Sequence, residues 1–371
     1  MIAGDLLKSL MGLYIHIPFC LKKCPYCDFY SITNIDLQER YIDKVCYYID
    51  RWYAKTNQKA DTLYFGGGTP SIIKAQLLEK VINKVKSTFL LDKAEITLEV
   101  NPATANEQDF YDYFNAGINR VSIGMQSAND NELKLLGRMH KNDDTIKAVY
   151  RAKKAGFNNI SLDLMLGIPY QDEISLKKSI DQCAELDVQH VSAYMLKLEQ
   201  GTLFYNNPPK GIADEDYMCD LYLLTCDLLS KYGFDQYEIS NWSKKGYESK
   251  HNLKYWDCCE YLGIGPGAHS FINGRRIYYE RNIDKFLYNM DEKDDGEGGN
   301  KEEYLMLRLR LNEGIKNKLW QDRFNENIPK EYLQRALQLS KNGLVNINGN
   351  GFSLTSKGML VSNSVISYIT G

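Results

Sequence analysis

The stretch "YIHIPFCLKKCPYCDFY", Tyr14 to Tyr30, decides how the rest of the chain is read. A β-branched run closes at Ile17, and Cys20, Cys24 and Cys27 follow in C-x3-C-x2-C spacing. Three thiolates on one loop directly after a strand suit a compact multi-iron cluster, each thiolate holding one iron. A 4Fe–4S cube then keeps one iron open for an exchangeable partner, as a catalytic zinc keeps an open position. Two other readings use the same residues. Zinc with His16 or Asp28 as fourth ligand usually draws on a second, distant C-x2-C pair, and the sequence has none. A redox C-x2-C at Cys24 and Cys27 accounts for less of the spacing. Three ligands plus one open iron is the reading carried forward.

Outward from this loop, strand-like runs at 13–17, 62–68, 94–100, 120–126, 159–166 and 190–196 alternate with helical patterns, among them 36–55, 74–88, 142–155 and 173–186. Spacing of about 30 residues predicts consecutive βαβ units and a parallel sheet. Six such units favour a full or partial (β/α) barrel, with ligands at the C-terminal strand ends. A helix at 214–231, a strand at 234–242 and a Gly-rich segment at 261–271 come next. The run "DEKDDGEGG" (291–299) reads as a solvated linker. Beyond it, "KEEYLMLRLRL" reads as a helix and 344–355 as a hairpin through Asn-Gly, which permits a small winged-helix-like domain. The expected division is a core barrel over 1–242, a connecting segment over 243–300 and a C-terminal domain over 301–371.

Composition narrows the function classes. A chain of 371 residues has room for more than one domain. A net charge of −3 gives no general attraction for nucleic acid or anionic membrane. Residues 301–371 hold 10 Lys/Arg against 6 Asp/Glu, too mild a bias for DNA binding. Nine cysteines, an odd number in a long chain, suit a reducing cytoplasm better than a disulfide framework. Residues 1–17 lack the features of a signal peptide, and no apolar run approaches the roughly 18 residues of a membrane span. Met11 directly precedes the first strand, so translation starts at Met1 or at Met11.

Taken in order, the cysteine stretch and "YFGGGTPS", "LEVNP", "IGMQS", "LGRMH", "DLMLGIP", "QYEISN", "HNLKYW" and "GIGPGAHS" carry a resemblance. The chain resembles radical S-adenosylmethionine (SAM) proteins over essentially its whole length. The form is that of the oxygen-independent coproporphyrinogen III oxidase family, and within it the haem-chaperone branch. The resemblance implies a partial radical SAM barrel, one 4Fe–4S cluster on Cys20, Cys24 and Cys27, and bound SAM. SAM presents an amino group, a carboxylate, a sulfonium and an adenosine, each needing a complementary partner. Glycines 66 to 68 let backbone approach a ligand closely. By resemblance Gly67, Gly68 and Thr69 meet the SAM amino group. Glu99 ends the third strand, Gln126 the fourth, and Asp163 lies in the fifth. By resemblance these are SAM contacts too, with Arg138 for the carboxylate, Tyr14 before the cluster and Tyr26 within its loop.

The sequence departs from the oxidase at two places. The oxidase carries a further cysteine just after the cluster motif, where this chain has Asp28, and a longer arm where only 13 residues precede Tyr14. Both departures weigh against the alternative function, oxidative decarboxylation of coproporphyrinogen III. They favour a chaperone that binds haem and hands it to acceptor proteins. "HNLKYW" (251–256) is the candidate haem element, with His251 as axial ligand and Tyr255 and Trp256 offering flat apolar faces. The preceding Gly and Lys residues suggest an exposed loop. The plain alternative is a histidine and two aromatics packed in a core. Cys258 and Cys259 are nearby second candidates, and the absence of C-x-x-C-H excludes c-type attachment.

Overall fold

The computed structural model describes residues 10–56, 58–89, 93–349 and 351–371. Residues 1–9, on which the signal-peptide reading and the choice between Met1 and Met11 turn, lie outside the described residues. Six strands carry the first half of the chain: β1 (Met11–Ile17), β2 (Ala60–Gly67), β3 (Glu95–Val100), β4 (Arg120–Gln126), β5 (Ile160–Leu166) and β6 (His190–Met195). They pair in that order, all parallel. Helices including Gln38–Thr56, Ala75–Phe89, Glu107–Asn115, Asn142–Ala155 and Glu173–Glu185 return the chain between them.

Strand alternation explains why these helices pack where they do. Leu13, Ile15, Ile17, Leu63, Phe65, Ile96, Leu98, Val121, Ile123, Leu162, Leu164 and Val191 are buried in one large apolar cluster with the helices. The intervening positions are polar: Tyr14 and His16, Thr62 and Tyr64, Glu95, Thr97 and Glu99, Arg120 and Ser122, Ser161 and Asp163, His190 and Ser192. Parallel strands covered on both faces are usually apolar on both. Here one face feeds the core and the other lines a polar interior, because successive side chains point to opposite sides.

The sheet continues at both edges. A hairpin of β7 (Asp235–Glu238) and β8 (Asn241–Ser243) adds antiparallel to β6, so the single strand expected at 234–242 is split in two. On the other side β9 (Tyr261–Ile264) runs parallel to β1, followed by antiparallel β10 (His269–Ile272), β11 (Arg275–Tyr278) and β12 (Lys293–Glu297). The result is one twelve-stranded sheet whose outer strands, β12 and β7, do not meet: a partial barrel.

Two expectations are corrected here. Residues 243–300 are not a connecting segment, since four of their strands extend the barrel sheet. The acidic run at 291–299 is not a linker either: Lys293–Glu297 pairs with β11 as the edge strand. Charged side chains suit an edge strand, where they face water and block further pairing.

Beyond residue 300, the helices Lys301–Arg308, Asn317–Phe324 and Lys330–Ser340 pack on a three-stranded antiparallel sheet. Its strands are β13 (Ile315–Lys316), β14 (Val345–Asn348) and β15 (Gly351–Leu354), in the order β13-β15-β14. A separate apolar cluster around Leu305, Trp320 and Phe352 holds this winged-helix-like unit. Among the described residues, no helix is long and apolar enough to cross a membrane.

Candidate functional site

The cysteine loop leaves the C-terminal end of β1 and is pinned on both sides. Cys20 donates its amide to the Ile32 carbonyl at 2.9 Å, and Ile32 returns one to Pro18 at 2.7 Å. Pro25 accepts from the Phe204 amide at 3.0 Å and packs on Gly137. The Gly-rich loop after β2 lies flat against it. Gly68 and Thr69 donate their amides to the Ile17 and Phe19 carbonyls, both at 2.8 Å, and the Thr69 hydroxyl reaches Cys20 Sγ at 3.4 Å. A Cβ on Gly68 would lie 2.7 Å from the Phe19 oxygen and 3.1 Å from Cys20 Sγ, so only glycine permits this approach.

A cavity of about 480 Å³ opens beside the loop, large enough for a cofactor-sized molecule. Tyr26, Cys27, Gly67, Gly68, Thr69, Glu99, Gln126, Arg138 and Asp163, all expected from the sequence, line it. They come from the strand ends at Gly67, Glu99 and Gln126, the middle of β5 at Asp163, and the connections between strands. Glu99 Oε1 accepts from the Tyr64 hydroxyl at 3.0 Å and Oε2 from the Gly67 amide at 3.1 Å. Asp163 accepts from the Ser122 hydroxyl at 2.9 Å. Arg138 donates to the Gly124 carbonyl at 3.0 Å and lies within hydrogen-bonding range of Cys24 and Tyr26. Gln126 adopts φ +65° at an irregularity that ends β4, a left-handed conformation that non-glycine residues take seldom and often at functional sites.

Electrostatically, the buried Glu99 and Asp163 carboxyls on the cavity wall face the Arg120 and Arg138 guanidiniums. Burial, reinforced by Asp163, pushes the Glu99 carboxyl up to about 7, against the pull of Tyr64, Gly67 and Arg120. Burial also raises Asp163. Arg120 is buried on the cavity wall, and its Nε has no hydrogen-bond partner. Sequence reasoning missed Arg120, Tyr64, Ser122, Ser192 and Tyr194, all lining residues. The polar half of each strand's period-two pattern was the signal that would have found them.

Tyr14 and His251 stand elsewhere. Tyr14 does not line the cavity; its hydroxyl bonds to His16 Nδ1 at 3.1 Å and its ring lies 6.1 Å from that of Tyr64. The exposed loop expected around His251 is corrected. The residue sits in the helix Lys250–Trp256, which closes the N-terminal end of the barrel, and is 1% exposed. Its Nδ1 bonds to the Thr62 hydroxyl and its Nε2 to the Tyr255 hydroxyl, both at 2.8 Å. Burial lowers its pKa to about 3, so the ring is neutral. In this arrangement neither nitrogen is available to an axial position. Apolar packing and two internal hydroxyl partners outweighed the basic residues before it, which signalled only that the chain reaches the surface nearby.

The residues fit a cluster and SAM. Three thiols sit on one pinned loop, a flat Gly-rich cradle lies against it, and the cavity begins at Cys27. Among the described residues no three His, Cys, Asp or Glu side chains converge as a single metal ion requires.

Comparison with known proteins agrees with this geometry. Residues 14–183 match the Radical SAM superfamily and residues 301–361 the HemN C-terminal domain. The protein "Heme chaperone HemW" of Bacillus subtilis is 33% identical, the match covering 98% of this chain and 100% of that one. Its namesake in Escherichia coli is 36% identical over 81% of this chain and 82% of that one. Among solved structures, the coproporphyrinogen III oxidase HemN of Escherichia coli, described as a radical SAM enzyme, superposes with a TM-score of 0.82. That match covers 97% of this chain and 90% of the other at 19% identity, which speaks for a shared fold. With a cysteine loop, a Gly-rich cradle and a ring of strand-end polar groups in the expected places, the chain belongs to the radical SAM superfamily, in the family of the heme chaperone HemW.

Proposed function

We propose that the chain is a haem chaperone, binding a 4Fe–4S cluster, SAM and haem and passing haem to acceptor proteins. The observation that carries this reading is the end-to-end likeness to proteins named heme chaperone, together with a cavity lined by the strand-end residues expected to meet SAM. Cys20, Cys24 and Cys27 would hold the cluster, whose open iron supplies a site for SAM. Gly67, Gly68, Thr69, Glu99, Gln126, Arg138 and Asp163 surround that position. The work belongs to the cytoplasm, where thiolates stay reduced.

Asp28 supports chaperone over oxidase. Where the oxidase has a further thiol, this carboxylate makes a two-pronged ion pair with Arg281, at 3.0 and 3.2 Å. It thus ties the cluster loop to the segment after β11, at the edge of the cavity that Asp28 also lines. Haem ligation through His251 requires the floor helix to release the ring from Thr62 and Tyr255.

Anaerobic reconstitution followed by separate assays tests the whole reading. Cluster absorbance should be lost in Cys20→Ala, Cys24→Ala and Cys27→Ala and kept in Cys46→Ala. Haem should bind and transfer, with His251→Ala altering the Soret band, and coproporphyrinogen III should stay unchanged with SAM and reductant. Formation of the vinyl product would establish the oxidase instead.

A further inference from the structure

Tyr64 joins two parts of the molecule that lie far apart in sequence. From the cavity wall its hydroxyl donates to Glu99 Oε1 at 3.0 Å, while the other Glu99 oxygen takes the Gly67 amide at 3.1 Å. Glu99 is therefore held between one side chain and the Gly-rich loop. The Tyr64 ring also stacks on His251, with centroids 5.2 Å apart and planes inclined by 28°. His251 is itself fixed by Thr62 and Tyr255.

Nothing in this stack has slack. A Cβ on Gly66 would come within 2.9 Å of Tyr64 and 3.0 Å of both Tyr14 and Glu99, so the space beside Tyr64 is full. Close-packed interiors transmit displacement instead of absorbing it. A shift of the His251 ring therefore reaches the Tyr64 hydroxyl, and through it the carboxylate that faces the cavity.

We propose that Tyr64 is a positioning residue for SAM: it aims Glu99 into the cavity and makes that aim depend on the seat of His251 in the floor helix. The inference rests on the reading that SAM occupies the cavity. It adds a route by which His251, the haem candidate, governs SAM affinity without lining the cavity, separate from its neighbour Asn252, which does line it. The route consists of two contacts, a ring stack and a hydrogen bond, each removable on its own.

The test is SAM affinity by calorimetry on the anaerobically reconstituted full-length chain, with no haem present. Tyr64→Phe keeps the ring and removes the hydroxyl; it should weaken SAM about tenfold, the size of one hydrogen bond to a charged group. His251→Ala should weaken SAM several-fold although His251 does not line the cavity, and His251→Phe, which keeps a ring face, should recover most of the loss. The double variant Tyr64→Phe/His251→Ala should lose no more than the larger single change, because both cut one route. Wild-type affinity in Tyr64→Phe, or equal loss in His251→Phe and His251→Ala, overturns the inference. If the wild type itself takes up no SAM, the cavity reading fails and the inference falls with it. If the wild type binds and Tyr64→Phe matches it, the inference alone fails.

Discussion

At the scale of single residues, buried carboxylates set how this chain responds to pH. Glu238, the last residue of β7, is fully buried, accepts from the Asn241 side-chain amide, and leaves Oε2 without a partner. Burial pushes its pKa up to about 7 from 4.5, against Asn241, the local amides and Arg310. A carboxyl whose folded pKa is raised binds its proton more tightly when folded. The folded state is then favoured at low pH and loses that advantage as pH rises from 4.5 to about 7. Glu99 acts in the same direction over the same window. The buried histidines His16 and His140, lowered by burial to about 4, act oppositely: they cost stability as pH falls below 6.5. Glu238→Gln removes one titration and keeps the shape. It should be more stable than wild type by about 1–3 kcal/mol at pH 8, with the gain vanishing near pH 4. Urea unfolding at the two pH values measures this, and an equal difference at both would mean that Glu238 is not titrating in that range.

At the scale of elements, the floor helix Lys250–Trp256 shows what was readable and what was not. The helix is capped by Ser249, and its first amides are taken by a side chain from β3: Glu95 accepts from Lys250 at 3.3 Å and His251 at 3.2 Å. A carboxylate at a helix start satisfies amides that have no partner within the helix. Glu95→Ala should therefore cost about 1–3 kcal/mol and speed amide exchange across 250–256, with Glu95→Gln keeping most of the protection. Unchanged exchange in that helix would show that Ser249 alone holds it. The six parallel strands and the Gly-rich cradle were legible because period-two runs and glycines act within a few residues. Glu99, Gln126 and Asp163 were legible through the resemblance, and all three line the same cavity, Asp163 from the middle of β5. The burial of His251 was not legible, since Thr62, Tyr64 and Glu95 approach it from about 150 to 190 residues away. Nor was β12, whose "KDDGE" looks like solvent-facing chain until β11 supplies its hydrogen bonds.

At the scale of the whole molecule, the winged-helix-like unit is fastened to the same floor helix. Arg308, on the first helix beyond residue 300, is 3% exposed and pairs with Asp257, the residue that follows the floor helix. It also donates to the Gly314 carbonyl at 2.8 and 3.0 Å and to Glu313 at 2.8 Å, so all three nitrogens of its planar fork are engaged. Two backbone hydrogen bonds run alongside, Ile239 to Arg310 at 2.9 Å and Asn312 to Tyr237 at 3.0 Å. Removing this buried cation leaves the Gly314 carbonyl without its two donors, while Asp257 and Glu313 are partly exposed and water can take over their charge. Arg308→Ala should lower unfolding stability by about 1–3 kcal/mol, and Arg308→Lys, which keeps charge but not the fork, by less. If the guanidinium is the main fastening between the units, amide exchange in 301–371 will rise relative to β1–β6 in the alanine variant. Equal exchange in both units would show instead that the remaining contacts, among them Arg276–Glu303 and the two backbone hydrogen bonds, keep barrel and C-terminal unit opening together.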